Sequence, residues 1–92
     1  MGNRIRQEIQ FTGYVQGVGF RYRTSHLAQH YGVTGWVRNE YDGSVCAELQ
    51  GLPEEIDQII QQLKQDRYID ITGIQRRNLP VDEQERSFQV RY

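Results

Sequence analysis

A glycine-rich segment, Gly13–Arg21, holds the residues of this sequence that are best suited to chemistry. It reads GYVQGVGFR and lies between a predicted strand and a predicted helix. Glycines let successive main-chain N–H groups converge on one anion, and the first turn of the following helix adds unpaired N–H donors and a positive dipole end. Arg21, at the helix start, can add two parallel charge-assisted hydrogen bonds. The segment therefore predicts a site for a phosphoryl group.

The spacing of these glycines leaves an ordinary tight turn open as an alternative, because tight turns use the same residues. The segment does not have the Lys-Ser/Thr ending of a Walker motif. It also does not have the parallel βαβ context and distal acidic residue of a dinucleotide site. We therefore expect a lone phosphoryl group as the ligand, and neither ATP nor NAD.

Hydrophobic periodicity predicts the elements that position this segment. The Asp42-Gly43 pair between two alternating runs predicts a hairpin, and the apolar spacing after Pro53 predicts an amphipathic helix. The strands are expected over 5–12, 33–39, 44–50, 69–79 and 87–92, and the helices over 21–31 and 53–63. We expect the strand over 69–79 to be interrupted near Gly73. This order predicts an α+β, ferredoxin-like βαββαβ sandwich, with two helices on one face of an antiparallel sheet and an extra C-terminal strand.

The predicted topology brings Asn39 towards the glycine-rich segment. A right-handed crossover makes the first two strands parallel, and the hairpin inserts the third strand antiparallel between them. The ends of the first two strands then lie at the same edge of the sheet, separated by two strand spacings, roughly 10 Å. We therefore expect the glycine-rich segment and the side chain of Asn39 to face one small ligand.

Two motifs of this sequence together resemble the signatures of the acylphosphatase family. GYVQGVGFR resembles the first signature, and Gly35–Asn39 (GWVRN) followed by Asp42–Val45 (DGSV) matches the second. The resemblance extends over essentially all of the chain, because the element order and the final FQVRY also look like the family. It implies that the protein hydrolyses the carboxyl-phosphate bond of acyl phosphates without a metal or an organic cofactor.

The same resemblance implies roles for individual residues. Arg21 and Asn39 are the implied catalytic residues, Arg21 binding the phosphate and Asn39 holding the attacking water. Main-chain N–H groups of the loop are implied to bind the phosphate, at Val15, Gln16, Gly17, Val18, Gly19 and Phe20. Tyr14 stands where many relatives carry a basic residue, so one additional charge beside the loop is missing from this sequence.

Composition limits the other functions. Ninety-two residues predict one domain, 1–92, and 11 Lys and Arg against 12 Asp and Glu give a net charge of -1. This balance does not provide the positive field of non-specific nucleic-acid binding. The single cysteine, Cys46, favours a reducing compartment, and no apolar run has the length of a signal peptide or a membrane span. We expect a cytoplasmic monomer that binds neither nucleic acid nor membrane.

Three further residue types have structural interpretations. His26 and His30 have the i, i+4 spacing of metal ligands, but no third ligand is evident, so we expect no metal site. We expect Trp36 to contribute to packing, and Cys46 to be an unremarkable thiol that faces away from the helices.

One functional alternative remains open, a regulatory domain that binds phosphate or another anion without catalysis. The ferredoxin-like architecture also occurs in such binding modules.

Overall fold

The computed structural model describes residues 3–92, which form five strands and two helices. In chain order these elements are β1 (Ile5–Tyr14), α1 (Phe20–Tyr31), β2 (Thr34–Asn39), β3 (Val45–Gly51), α2 (Pro53–Lys64), β4 (Asp70–Leu79) and β5 (Phe88–Arg91). The predicted order of the elements is confirmed. No predicted end of a strand or helix differs from the observed one by more than two residues. The fold class is the expected ferredoxin-like one.

The sheet has the strand order β4-β1-β3-β2-β5. β3 lies between β1 and β2 and is antiparallel to both, so β1 and β2 run in the same direction as predicted. β4 pairs antiparallel with β1 at one edge. β5 pairs parallel with β2 at the other edge, which makes the five-stranded sheet mixed. The ends of β1 and β2 therefore lie at one end of the sheet, where the glycine-rich segment begins.

The core lies between the sheet and the two helices. Alternate residues of the three central strands face it, and the amphipathic stripe of α2 covers them. The fully buried side chains of this layer are Ile9, Phe11, Val37, Val45, Ala47, Leu49, Ile56, Ile59 and Leu63. The opposite face of the sheet carries charged and polar side chains, among them Arg6, Arg38 and Glu48, and we call it the polar face. In β1, Ile9 and Phe11 face the core and Arg6 lies on the polar face.

β4 continues through Gly73 where the sequence predicts an interruption. The pairing of β1 with β4 instead shifts register between Thr12 and Gly13, opposite Gly73 and Ile71. Gly13 has a φ of 124°, and a Cβ there would collide with the main-chain oxygen of Asp70. The irregularity is therefore a bulge at Thr72 of β4, which has no partner in β1, and both strands continue past it.

Candidate active site

The loop between β1 and α1 is held at both of its ends by buried side chains. Val15 and Phe20 are 1% and 2% exposed, and the ring of Phe20 lies 4.9 Å from that of Phe11. Between them, Gly17 and Gly19 have φ values of 73° and 81°, in the left-handed region that L side chains rarely adopt. The buried ends fix the path of the loop, and the two glycines turn its main chain.

The N-terminus of α1 is left electrostatically positive. Gly19 is its N-cap and has no side chain that could accept a hydrogen bond from the first turn, and residues 20–23 are Phe, Arg, Tyr and Arg. In α2 the corresponding turn carries Glu54 and Glu55, and Glu55 accepts a hydrogen bond of 3.0 Å from the main-chain N–H of Leu52. Negative charge stabilises a helix N-terminus. In α1 that charge has to come from outside the helix, as an anion would supply it.

One open pocket of about 200 Å³ joins the loop to the end of β2. Gly17, Gly19, Arg21 and Asn39 all line it. The predicted convergence of the loop and Asn39 is therefore observed, and it follows from β1 and β2 ending at the same edge of the sheet. Of the other loop residues, Val15 and Phe20 also line the pocket.

Two loop residues have side chains directed elsewhere. Val18 packs partly against the core. The Gln16 side chain donates through Nε2 to the main-chain oxygens of Glu40 and Ser44, at 2.7 and 2.8 Å. These two acceptors lie 24 and 28 residues further along the chain, in the β2–β3 turn that follows Asn39. Gln16 therefore ties the loop to the turn that follows Asn39.

The β2–β3 turn is itself held by Asp42. Its carboxylate accepts hydrogen bonds from the Ser44 hydroxyl at 2.6 Å and from the Ser44 main-chain N–H at 2.9 Å. These bonds, the hydroxyl one above all, hold the pKa of Asp42 below its ordinary value. Glu40 N–H also donates to the Ser44 main-chain oxygen at 2.9 Å. Asn39 thus precedes a turn whose conformation is fixed by several bonds.

Arg21 is oriented by the end of β5. Its Nη1 donates to the main-chain oxygen of Arg91 at 3.1 Å, and its guanidinium lies 4.6 Å from the ring centroid of Tyr92. Val90 and Tyr92 also line the pocket. Sequence reasoning predicted the last strand but missed its part in the site. The alternation of residues 87–92 was the available signal for a strand, and it does not reveal which strand this one pairs with.

The four residues for which the sequence predicts no catalytic role, His26, His30, Trp36 and Cys46, do not line this pocket. Trp36 is 8% exposed on the polar face, with the guanidinium groups of Arg38 and Arg91 at 4.9 and 4.6 Å from its ring. Cys46 lies on the same face, and burial raises the pKa of its thiol. His26 stacks on Tyr22, with ring centroids 4.5 Å apart. The packing interpretation of Trp36 agrees with its burial.

Among residues 3–92, no group of three or more His, Cys, Asp and Glu side chains is arranged to hold a metal ion. Within the same range, neither helix has the length and apolar character needed to cross a bilayer.

Known proteins share both the sequence pattern and the fold of this chain. A family model described as Acylphosphatase matches residues 7–90. An acylphosphatase of Bifidobacterium longum is 43% identical over 91 residues, which covers 97% of this chain and 94% of the relative. An acylphosphatase of Clostridium acetobutylicum is 34% identical over 88 residues, covering 95% of this chain and 97% of the relative.

Solved structures give the same result at the level of the fold. The crystal structure of acylphosphatase from Bacillus subtilis has a TM-score of 0.87 and 28% identity, covering 96% of this chain and 99% of that one. Full-length HypF in its phosphate- and nucleotide-bound form has a TM-score of 0.85 and 26% identity. That match covers 100% of this chain and 12% of the HypF chain. The architecture therefore occurs both in chains of this length and as a small part of a much larger one.

Proposed function

Because the chain belongs to the acylphosphatase family, we propose that its pocket performs acyl phosphate hydrolysis with Arg21 and Asn39 as the catalytic side chains. The protein is an enzyme that converts acyl phosphates to a carboxylate and inorganic phosphate. The observation that carries the proposed residue roles is the pocket itself. It places a positive helix N-terminus, a guanidinium and a carboxamide around a volume of about 200 Å³.

Binding of the phosphoryl group falls to the loop and Arg21. Main-chain N–H groups of residues 15–20 surround its oxygens, and the first turn of α1 contributes its positive dipole end. Arg21 donates to the same oxygens while Nη1 keeps its bond to the Arg91 carbonyl. These donors stabilise the charge on the equatorial oxygens in the transition state, where electrostatic stabilisation contributes most to phosphoryl transfer.

Asn39 positions the attacking water across the pocket from the loop. A bond forms between the water oxygen and phosphorus while the bond from phosphorus to the acyl oxygen breaks, the two oxygens being in line. The acyl group therefore leaves on the side of the phosphorus away from Asn39. The leaving carboxylate has a conjugate acid of pKa about 4, so it departs without a general acid. A neutral carboxamide is not a base, and the water's proton passes to an oxygen of the substrate phosphate.

The same proposal covers the cellular location of the enzyme, its oligomeric state and its cofactors. It acts in the cytoplasm as a monomer, without a metal or an organic cofactor, on a small acyl phosphate and on no nucleic acid. Two observations support this setting: the single cysteine, Cys46, is free and buried, and the net charge is -1. No observation favours the non-catalytic anion-binding alternative. A protein that binds phosphate but releases none from an acyl phosphate would establish that alternative.

The loop proposal is tested by titration with inorganic phosphate, followed by NMR of the main-chain amides. We expect the largest shifts at residues 15–21, because their N–H groups approach the anion. Hydrolysis of a synthetic acyl phosphate, measured with and without EDTA, should proceed at the same rate. Phosphate shifts confined to residues outside the loop would refute the binding site, and loss of hydrolysis in EDTA would refute independence from a metal.

The tie between Gln16 and the β2–β3 turn predicts a catalytic effect of Gln16→Ala. The variant loses two hydrogen bonds that hold the loop against the turn, so Asn39 is less well placed. We expect kcat to fall about tenfold, because displaced catalytic groups lose rate steeply, and stability to fall by about 1–2 kcal/mol. Steady-state kinetics and urea unfolding measure the two effects.

Gln10→Ala is the matched control for Gln16→Ala. Gln10 also bonds Ser44, through its hydroxyl at 3.1 Å, but from the middle of β1 and not from the loop. We expect this variant to lose comparable stability while keeping the kcat of the wild type. An equal fall of kcat in both variants would show that general loosening of the turn, and not the loop contact, is responsible.

A further inference from the structure

The segment between β4 and β5, residues 80–87, has to cross the whole sheet. β4 lies at one edge of the sheet and β5 at the other. The crossing is made at the end remote from the pocket, where Leu79 pairs with Arg6 and where Gly35 N–H donates to the Ser87 main-chain oxygen at 3.2 Å. We call residues 80–87 the crossover segment. Its attachment to the sheet determines where β5 begins.

A buried arginine on the polar face provides this attachment. Arg6 is 6% exposed, although it lies on the face opposite the helices. Its Nε donates to Glu48 of β3 at 2.8 Å, and its Nη1 and Nη2 donate to the two carboxylate oxygens of Glu85 at 2.8 and 3.2 Å. Bonding to Glu85 is the main cause that raises the pKa of Arg6 above its ordinary value. Glu85 belongs to the crossover segment, so the guanidinium joins that segment to the sheet.

Gln50 makes a second bond between the sheet and the crossover segment. Its side chain is 1% exposed and accepts from Arg6 Nη1 at 3.2 Å. The same amide bonds the main chain of Asp82 in both directions, accepting from its N–H at 2.8 Å and donating to its oxygen at 3.0 Å. Arg6 and Gln50 thus hold the crossover segment at two points, and the bidentate, partly buried ion pair of Arg6 with Glu85 gives a defined geometry.

β5 depends on such an attachment because it is short. It has four residues and, among residues 3–92, pairs with β2 alone. Short edge strands open readily when little else holds them. Yet the last residue of β5, Arg91, supplies the carbonyl that accepts from Arg21, and the adjacent Tyr92 ring lies over the same guanidinium. The position of the phosphate-binding arginine is therefore set by the strand that the crossover segment delivers.

We propose that Arg6 is a positioning residue, whose bonds to Glu85 anchor the crossover segment, hold β5 in register and so orient Arg21 for phosphate binding. The proposal rests on the proposed function, because it takes Arg21 as the phosphate-binding side chain. Arg6 itself lies on the polar face, at the end of the sheet away from the pocket. It acts on the site only through β5.

Two variants that each remove one carboxylate from Arg6 test the proposal. Glu85→Ala removes the Arg6 attachment of the crossover segment, whereas Glu48→Ala leaves the bond between Arg6 and Glu85 in place. We expect Glu85→Ala to raise the Kd of inorganic phosphate and the KM of an acyl phosphate about threefold to tenfold, the cost of ordering one arginine side chain on binding. Hydrogen exchange of the amides of Gln89–Arg91 should become at least about tenfold faster. Glu48→Ala should lower the unfolding midpoint but leave Kd and the exchange of β5 unchanged.

The comparison separates positioning from general stability. The proposal is overturned if both variants raise Kd equally, or if β5 exchanges faster in Glu85→Ala while phosphate binds as in the wild type. If Glu85→Ala does not fold, Glu85→Gln against Glu48→Gln makes the same comparison with the side-chain volume kept. A wild-type protein that binds no phosphate would refute the proposed function, and the exchange measurement would still decide whether Arg6 holds β5.

Discussion

Replacing Arg21 by glutamine is expected to lower kcat/KM for an acyl phosphate by about 10³-fold, with a large rise in KM and in the Kd of inorganic phosphate. Removal of one preorganised donor to a developing oxyanion costs about 10²–10³ in rate, and Arg21 adds a full charge to that effect. The guanidinium lines the pocket and is already held by the Arg91 carbonyl at 3.1 Å. Steady-state kinetics and phosphate titration measure the loss.

Two further variants make the Arg21 experiment specific. Arg21→Lys keeps the positive charge but not the planar fork, so we expect an intermediate loss of about 10–100-fold. Arg23→Gln removes an arginine two residues further along the same helix, where it is partly exposed and lies 3.6 Å from Asp66. That control should change kcat/KM less than about threefold, in line with the small value of exposed ion pairs. An Arg21→Gln protein that keeps wild-type phosphate affinity would remove Arg21 from the proposed site.

Replacing Asn39 by alanine is expected to lower kcat about 10²-fold or more while the Kd of inorganic phosphate stays close to that of the wild type. In the proposed mechanism the carboxamide holds the attacking water and not the phosphate, so its loss should affect the transition state and not ground-state binding. Asn39 lies at the end of β2 and lines the same pocket as Gly17 and Arg21. Kinetics together with phosphate titration separate its effect from that of Arg21.

Asn78→Ala is the matched control for Asn39→Ala. Asn78 is an exposed residue of β4 that bonds Gln7 at 3.0 Å, at the end of the sheet away from the pocket. We expect it to keep wild-type kcat and KM. If Asn39→Ala raises KM and leaves kcat unchanged, Asn39 binds the substrate and does not position water. If it changes neither value, the water is held by another group.

The order of elements and the place of the two main side chains were predictable from the sequence. The positive φ of Gly17 and Gly19 and the start of α1, predicted at Arg21 and observed at Phe20, are local properties, which glycine chemistry and helical spacing determine over a few residues. The approach of Asn39 required only the handedness of a crossover and the pairing of a hairpin. Both rules are general, so no side-chain packing had to be known.

The bonds that hold the site could not be predicted in the same way. The Gln16 side chain donates to main-chain oxygens. Because every residue has a main-chain oxygen, the sequence does not show which residues Gln16 will contact. In the alternating pattern of β1, Arg6 occupies a position that is typical of an exposed residue. Its burial depends on Glu85, which is 79 residues away in the sequence. The bulge beside Gly73 likewise stands where the sequence predicts an interruption, because glycine in a strand is compatible with either.

The sequence by itself therefore determined which residues meet at the end of the sheet: a glycine-rich loop, an arginine at a helix start and an asparagine at the end of the next strand. Only the tertiary structure decided how Arg21 is held, because that depends on β5 lying parallel to β2 after the chain has crossed the sheet. Local conformation follows from neighbouring residues. The partner of an edge strand follows from the packing of the whole chain.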